Sequence, residues 1–420
     1  MTRTLLAWML LAAPAAAQTI AIEGGTVYTM EGPPIEGGTV LVRNGRIVAV
    51  GRNVPVPADA QRIDARGKIV TPGLFESSTH LGLSEVEQVD ETNDFRMTDP
   101  QDQVTAALRV WDALNPQSIV LPVTRIAGVT TAVVRPAGNL IAGQGAVIDL
   151  WGDRAEELVV RAPVAMFAHF GEAADAAGGG SRAGELLRLR EILEDARVYA
   201  RRRAAFERGA TRDFATSRLD LEALVPVVEG RLPLAIEAHR AADIRAVLRL
   251  ADEFGLRLIL LGGTEAWQVA DELARRRVPV VLKVLQNLPA TFEQLGARYD
   301  NAALLRRAGV TVALTTNDTH NARNLRQEAG NAVTYGLPWE EALRAITRAP
   351  ADIWGVGDRY GSLAPGKVAN VVVWSGDPLE LLTRAELVLI RGQIVPLRSR
   401  QTELRDRYRT LDPNARPYRP

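Results

Sequence analysis

The chain has 420 residues, 47% of them hydrophobic and 24% charged, the balance of an ordinary globular protein, which excludes a disordered, collagen-like or polytopic membrane chain. Fifty basic and fifty acidic residues cancel, so no overall field draws the protein to nucleic acid or to anionic lipid. The absence of cysteine excludes disulfides, thiolate metal sites and cysteine nucleophiles, leaving His, Asp, Glu, Ser and Thr for any catalysis.

Residues 1–17 start with the basic Arg3, continue through an apolar run over 5–13 and end in Ala15-Ala16-Ala17. That is the pattern of a secretory signal peptide cut after Ala17, with an apolar core too short to span a bilayer. A periplasmic or secreted location is therefore expected. From residue 18 the chain reads as short strands and glycine turns, with Asn44-Gly45 between alternating apolar runs as a hairpin signal. A piece in the same style returns near the other end, in Val371-Val372-Val373-Trp374 and Leu387-Val388-Leu389-Ile390. The two ends predict one small composite β-sandwich domain, residues 18–68 plus 360–397, with the middle of the chain inserted into it.

Residues 69–359 alternate apolar strand runs with helical patterns. Strands are predicted near 69–75, 129–135, 146–150, 164–169, 233–239, 257–261, 278–283 and 310–315, and helices over 182–208, 241–254, 265–276 and 338–348. Such alternation predicts the α/β class with a parallel sheet, and eight strands fit a closed (β/α)8 TIM-type barrel. The many charges of 182–208 predict a solvated outer helix. Residues 398–420, rich in Arg, Asp and Pro, read as a tail extended along the surface.

The run Thr71-Pro72-Gly73-Leu74-Phe75-Glu76-Ser77-Ser78-Thr79-His80 is similar to the first barrel strand of the amidohydrolase superfamily. With Gly128-Val129-Thr130-Thr131, Glu237-Ala238-His239, Thr315-Thr316-Asn317-Asp318 and Gly361-Ser362-Leu363-Ala364-Pro365-Gly366-Lys367 in the same order, the chain resembles the imidazolonepropionase-like branch of that superfamily. The resemblance implies a metal-dependent hydrolase barrel with a composite β domain and a divalent ion, zinc by expectation, at the C-terminal mouth. It further implies a metal-activated water that cleaves an amide or cyclic C–N bond, other than an ordinary peptide bond, in a small-molecule or short-peptide substrate.

Only His80, His169, His239 and His320 exist, so the ligand sets can be enumerated. Where the family pattern has two histidines on the first strand, this chain has Ser78 and His80, and a hydroxyl is a poor substitute for imidazole. His239 matches the fifth-strand histidine, glycine stands at Gly262-Gly263 where many members carry another, and no lysine matches the fourth strand, which argues against a bridged pair of metals. The eighth-strand position is Asn317 or Asp318, depending on a one-residue register. Asp318 is preferred as metal ligand and general base, since a carboxylate can take the proton of the nucleophile. The expected set is therefore His80, His239 and Asp318 around one ion, three ligands plus an open position. Arg135, Asn139, Gln144 and His320 are candidate substrate contacts, the first three lying in a stretch that reads equally as a Gly-rich turn. His169 reads as a satisfied strand-end histidine. The competing function is a barrel that has lost its metal and binds a small molecule or peptide in the former pocket.

Overall fold

The computed structural model describes residues 19–97, 99, 102–174, 180–285 and 291–409. The signal-peptide expectation over 1–17 and the end of the tail lie outside the described residues. Strand β1 (Thr19–Val27) pairs antiparallel with β2 (Ile35–Arg43), which turns through Asn44 and Gly45, both at positive φ, into β3 (Arg46–Gly51). Strands β4 (Gln61–Asp64) and β5 (Ile69–Pro72) run parallel to β1. At Gly73 the chain leaves this sheet. A Cβ there would lie 2.1 Å from Thr130 Oγ1, so only glycine lets the backbone pass between the two halves.

The second sheet comprises β6 (Leu74–Thr79), β7 (Val129–Val134), β8 (Ile141–Asp149), β9 (Val159–His169), β10 (Leu234–Ala238), β11 (Leu258–Gly262), β12 (Val280–Leu282) and β13 (Val312–Leu314), paired in chain order. Each strand sends apolar side chains into one cluster, among them Phe75, Val133, Val147, Phe167, Ala235, Ile259, Val281 and Ala313. Contributions from all eight strands to one cluster define the interior of a barrel. Between β13 and β6 no ladder forms. That seam is bridged by side chains instead: Thr79 Oγ1 donates to Asp318 O at 2.9 Å, and Thr315 Oγ1 lies 3.1 Å from Ser78 O. Glu76, fully buried beside them, accepts from Thr315 Oγ1, from Thr316 N at 3.1 Å and Thr316 Oγ1 at 2.8 Å, and from Ser78 N at 3.2 Å.

After the barrel, β14 (Val371–Trp374), β15 (Ala385–Ile390) and β16 (Gln393–Ile394) return to the first sheet, β14 lying antiparallel on β5. The composite β unit thus forms as expected from both chain ends, as one continuous mixed sheet in the order β16-β15-β14-β5-β1-β2-β3 with β4 also on β1. Ile20, Ile22, Val40, Val70, Val371, Val373 and Leu389 form its core.

Four expectations are corrected. Residues 69–72 belong to the β unit, so the barrel begins at Leu74 and not at 69. The barrel sheet is not all parallel, because β8 runs antiparallel to both β7 and β9. Only residues 135–140 separate β7 from β8, too few for a crossover helix, so the chain must reverse. The helix Arg182–Glu207 is not solvated all round: it buries Leu189, Ile192, Leu193 and Tyr199. Finally, the tail is not extended throughout, since Arg400–Tyr408 is helical behind a capping box of Ser399 and Thr402, with no buried residue. Among the described residues no helix is long and apolar enough to cross a membrane.

Candidate active site

Strand alternation delivers the polar side chains of the mouth. Beyond the inward Val133, Phe167, Ala235 and Ala313, the same parity brings Arg135, His169, Glu237, His239, Thr315 and Asn317 to the C-terminal end of the barrel, where such folds keep their chemistry. On β6 a register shift between Glu76 and Thr79 turns Ser78 toward the same place. Ser78, Glu237, His239, Gly262, Lys283 and Asn317 surround a cavity of about 70 Å3, room for roughly two waters or one small polar group. A roomier depression of about 500 Å3 lies among Pro233, Arg257, Pro279 and Thr311, residues that precede their strands, and it contains no histidine.

Arg135, 4% exposed, is the hub of the mouth. Its Nε donates to Ser78 Oγ at 2.7 Å, Nη1 to the Pro136 carbonyl at 3.2 Å, and Nη2 to Asn317 Oδ1 at 3.0 Å and Glu237 Oε2 at 3.3 Å. The Ser78 hydroxyl in turn donates to Asn317 Oδ1 at 3.0 Å. His239 Nε2 faces Glu237 Oε1 at 3.4 Å and its Nδ1 faces Thr264 Oγ1 at 2.8 Å. Burial alone would raise the Glu237 carboxyl, but the hydrogen bond from His239 and the positive charge of Arg135 hold it well below the usual carboxylate range. Burial would lower His239, yet its bond to Glu237 and that carboxylate's charge raise it above the ordinary histidine value.

His169 behaves oppositely. Its Nδ1 lies 3.0 Å from the carbonyl of Asn139, which only accepts, so Nδ1 carries the proton and Nε2 presents a lone pair 3.7 Å from Glu237 Oε2. Burial, with Arg135 adding to it, lowers its pKa and keeps it neutral. His80 stacks on Phe95 with ring centroids 3.8 Å apart, and burial together with Arg135 pushes it far below the ordinary histidine range. Its Nε2 is buried without a hydrogen-bond partner among the described residues.

These positions bear differently on the expected site. Asp318 is not brought to the cavity: its carboxylate accepts from Asn321 N at 2.7 Å and Asn321 Nδ2 at 3.0 Å, capping the turn that follows. Asn317 stands at the mouth in its place, because Ala313, Thr315 and Asn317 share the inward parity. Asn139 holds His169 through its carbonyl, while its side chain donates to Thr105 Oγ1 at 3.3 Å. Gln144 lies within β8 and donates to the Ala106 carbonyl at 3.0 Å. Neither lines the cavity, and nor do the half-buried His320, the expected ligand His80 or Arg135, which reaches the cavity only through its bonds to Ser78, Asn317 and Glu237. Glu237, Lys283 and Ser78 are site residues for which sequence reasoning assigned no role. The signal for Glu237 was its shared face with His239, two residues on. Gly262, at φ +77°, leaves the space that the His239 ring fills, for a Cβ there would lie 2.5 Å from His239 Cε1.

The donor set does not fit the implied divalent ion. Among the described residues no three His, Asp or Glu side chains are placed to hold one. Of the expected ligands, His239 Nε2 is spent on Glu237 and Asp318 is turned away. A permanent guanidinium bonded to Ser78, Asn317 and Glu237 would also repel an ion placed among them.

An eight-stranded α/β barrel with a polar mouth and a composite β unit is the architecture of a barrel hydrolase. The model of the amidohydrolase family matches residues 194–396. The amidohydrolase of Thermotoga maritima MSB8 superposes with a TM-score of 0.83 at 32% identity, covering 90% of this chain and 100% of that one. The imidazolonepropionase of Acidiphilium cryptum (strain JF-5) is 27% identical over 393 residues, 82% of this chain and 89% of that protein. Amidohydrolase tasK of Hapsidospora irregularis is 25% identical over 375 residues, 81% of this chain but only 38% of that longer protein. The chain belongs to the amidohydrolase family. Its relatives support a hydrolase acting on carbon–nitrogen bonds.

Proposed function

We propose that the barrel mouth hydrolyses an amide or cyclic C–N bond of a small-molecule or short-peptide substrate. The observation that carries this reading is the convergence of Ser78, Arg135, His169, Glu237, His239 and Asn317 at one strand-end site. His169 Nε2 and Glu237 Oε2 are two acceptors 3.7 Å apart, and a water donating to both would satisfy them. Such a water is a nucleophile with a base beside it, and His169 is oriented for that role by its bond to the Asn139 carbonyl. The protonated His239 would give its proton to the leaving nitrogen, and Arg135 and Lys283 bring positive charge toward the oxyanion.

The turned-away Asp318 and the four committed N–H groups of Arg135 favour one alternative, a barrel that binds such a molecule without cleaving it. Hydrolysis of N-acyl amino acids, dipeptides and cyclic imides by the purified protein separates the two, with and without added zinc. Turnover should fall by about 10²-fold or more in Glu237→Gln. If no such substrate is cleaved under either condition, the binding reading replaces the hydrolytic one. We also infer export, from Arg3, the apolar run over 5–13 and Ala15-Ala16-Ala17. An intact mass of exported protein that begins at Gln18 supports it, and one that retains Met1 refutes it.

A further inference from the structure

At the mouth, three positions that the family resemblance would assign to metal ligands or their neighbours meet one side chain. Ser78 stands for the missing first-strand histidine, Asn317 for the eighth-strand aspartate, and Glu237 sits two residues before the fifth-strand histidine. Each bonds Arg135. The two substituted groups are neutral. A serine hydroxyl and an amide oxygen are weak partners for a divalent ion, yet both are good acceptors for guanidinium N–H. The changes are therefore mutually consistent: the ligand charge is removed where a fixed cation enters. Arg135 also arrives from the end of β7, held by the Pro136 carbonyl, with its side chain 5% exposed and its charge balanced by Glu237.

We propose that Arg135 takes the place of a divalent ion in this barrel: its guanidinium, a single fixed positive charge bonded to Ser78, Asn317 and Glu237, occupies the groups a metal would need, so the mouth works without metal. The proposal rests on the mouth being the functional site, but its readout is metal content. Loss of the hydrolytic reading would leave that readout intact, and the reverse also holds.

Full-length protein is washed with chelator, incubated with excess zinc or cobalt and desalted, and its metal is counted by mass spectrometry. The wild-type protein should retain less than about 0.1 equivalent, and added zinc should leave Tm unchanged, since an ion that binds the native state raises it. The variant carrying Ser78→His, Arg135→Met and Asn317→Asp should retain about one equivalent and show visible cobalt absorption. Should it not fold, Arg135→Lys supplies the second comparison: it keeps the charge and should stay metal-free. One equivalent held by the wild-type protein and lost in His239→Ala overturns the proposal, and so does a folded triple variant that binds no metal.

Discussion

Glu76 is a carboxylate held inside the protein by hydroxyl and amide donors from the opposite side of the barrel seam. Burial pushes its pKa from the ordinary 4.5 up to about 7, against those hydrogen bonds. Because the folded value lies above the unfolded one, the contribution of Glu76 is fully present below about pH 4.5 and is lost as pH rises through about 7, a change of about 3 kcal/mol. Thermal melts from pH 4.5 to 8 should show this slope, and the difference between wild type and Glu76→Gln isolates it, because Gln cannot titrate. A second expectation concerns the mouth. Arg135→Met removes one of the two partners of the largely buried Glu237 and should cost about 1–3 kcal/mol in urea unfolding, whereas Arg135→Lys should cost less. At this scale, while His80 stands beside Phe95 and off the cavity, the sequence pointed to His239 and Arg135 by their place at strand ends. It did not make Asp318 safe, since the choice between neighbours depends on parity with an inward residue, here Ala313, and that parity is fixed only by the packing of the barrel interior.

Among the elements, β8 is the one whose direction sequence reading missed. Its apolar run was visible, but the alternation of strands and helices elsewhere invited a parallel reading. Sequence reading places the strand at 146–150, and its true start at Ile141 leaves a gap after Val134 too short for a crossover helix. Reversal has a structural result: the C-terminal residue of β8, Asp149, points to the end of the barrel away from the mouth. There it accepts from Thr131 Oγ1 at 3.0 Å, Asn370 Nδ2 at 2.8 Å and Tyr360 OH at 2.9 Å, with no exposure to solvent. One side chain thus ties the barrel to the returning segment of the β unit. Asp149→Ala strands three buried donors and should lower stability by about 3 kcal/mol or more. Hydrogen exchange should then quicken in β14 before it quickens in β10 or β11, and uniform acceleration would refute the tie.

For the whole molecule, the composite β unit was readable because both ends carry the same short-strand style, and the barrel because its strands recur at intervals a helix can fill. The boundary at Gly73 was not, since β5 and β6 read as one apolar run. The two units depend on one another through β5 and β14, so a chain ending after residue 368 should lose cooperative unfolding, as followed by circular dichroism. Among the described residues a chain ending after residue 399 removes only a helix with no buried residue and Arg409, and its Tm should stay within about 2 °C of the full chain.

The seam closed by side chains also has a consequence for the order in which the chain acquires its shape. Strands β7, β8 and β9 follow one another through short links, while Glu76 must find Thr316 across 240 residues of sequence. Closing so long a loop has a large entropic cost before any contact offsets it, so the meander should gain protection early and the seam last. In pulse-labelled refolding, amides of β7 to β9 should be protected before those of β13. Weakening the seam by Thr316→Val should then speed unfolding while leaving the refolding rate nearly unchanged, the behaviour of a contact absent from the transition state.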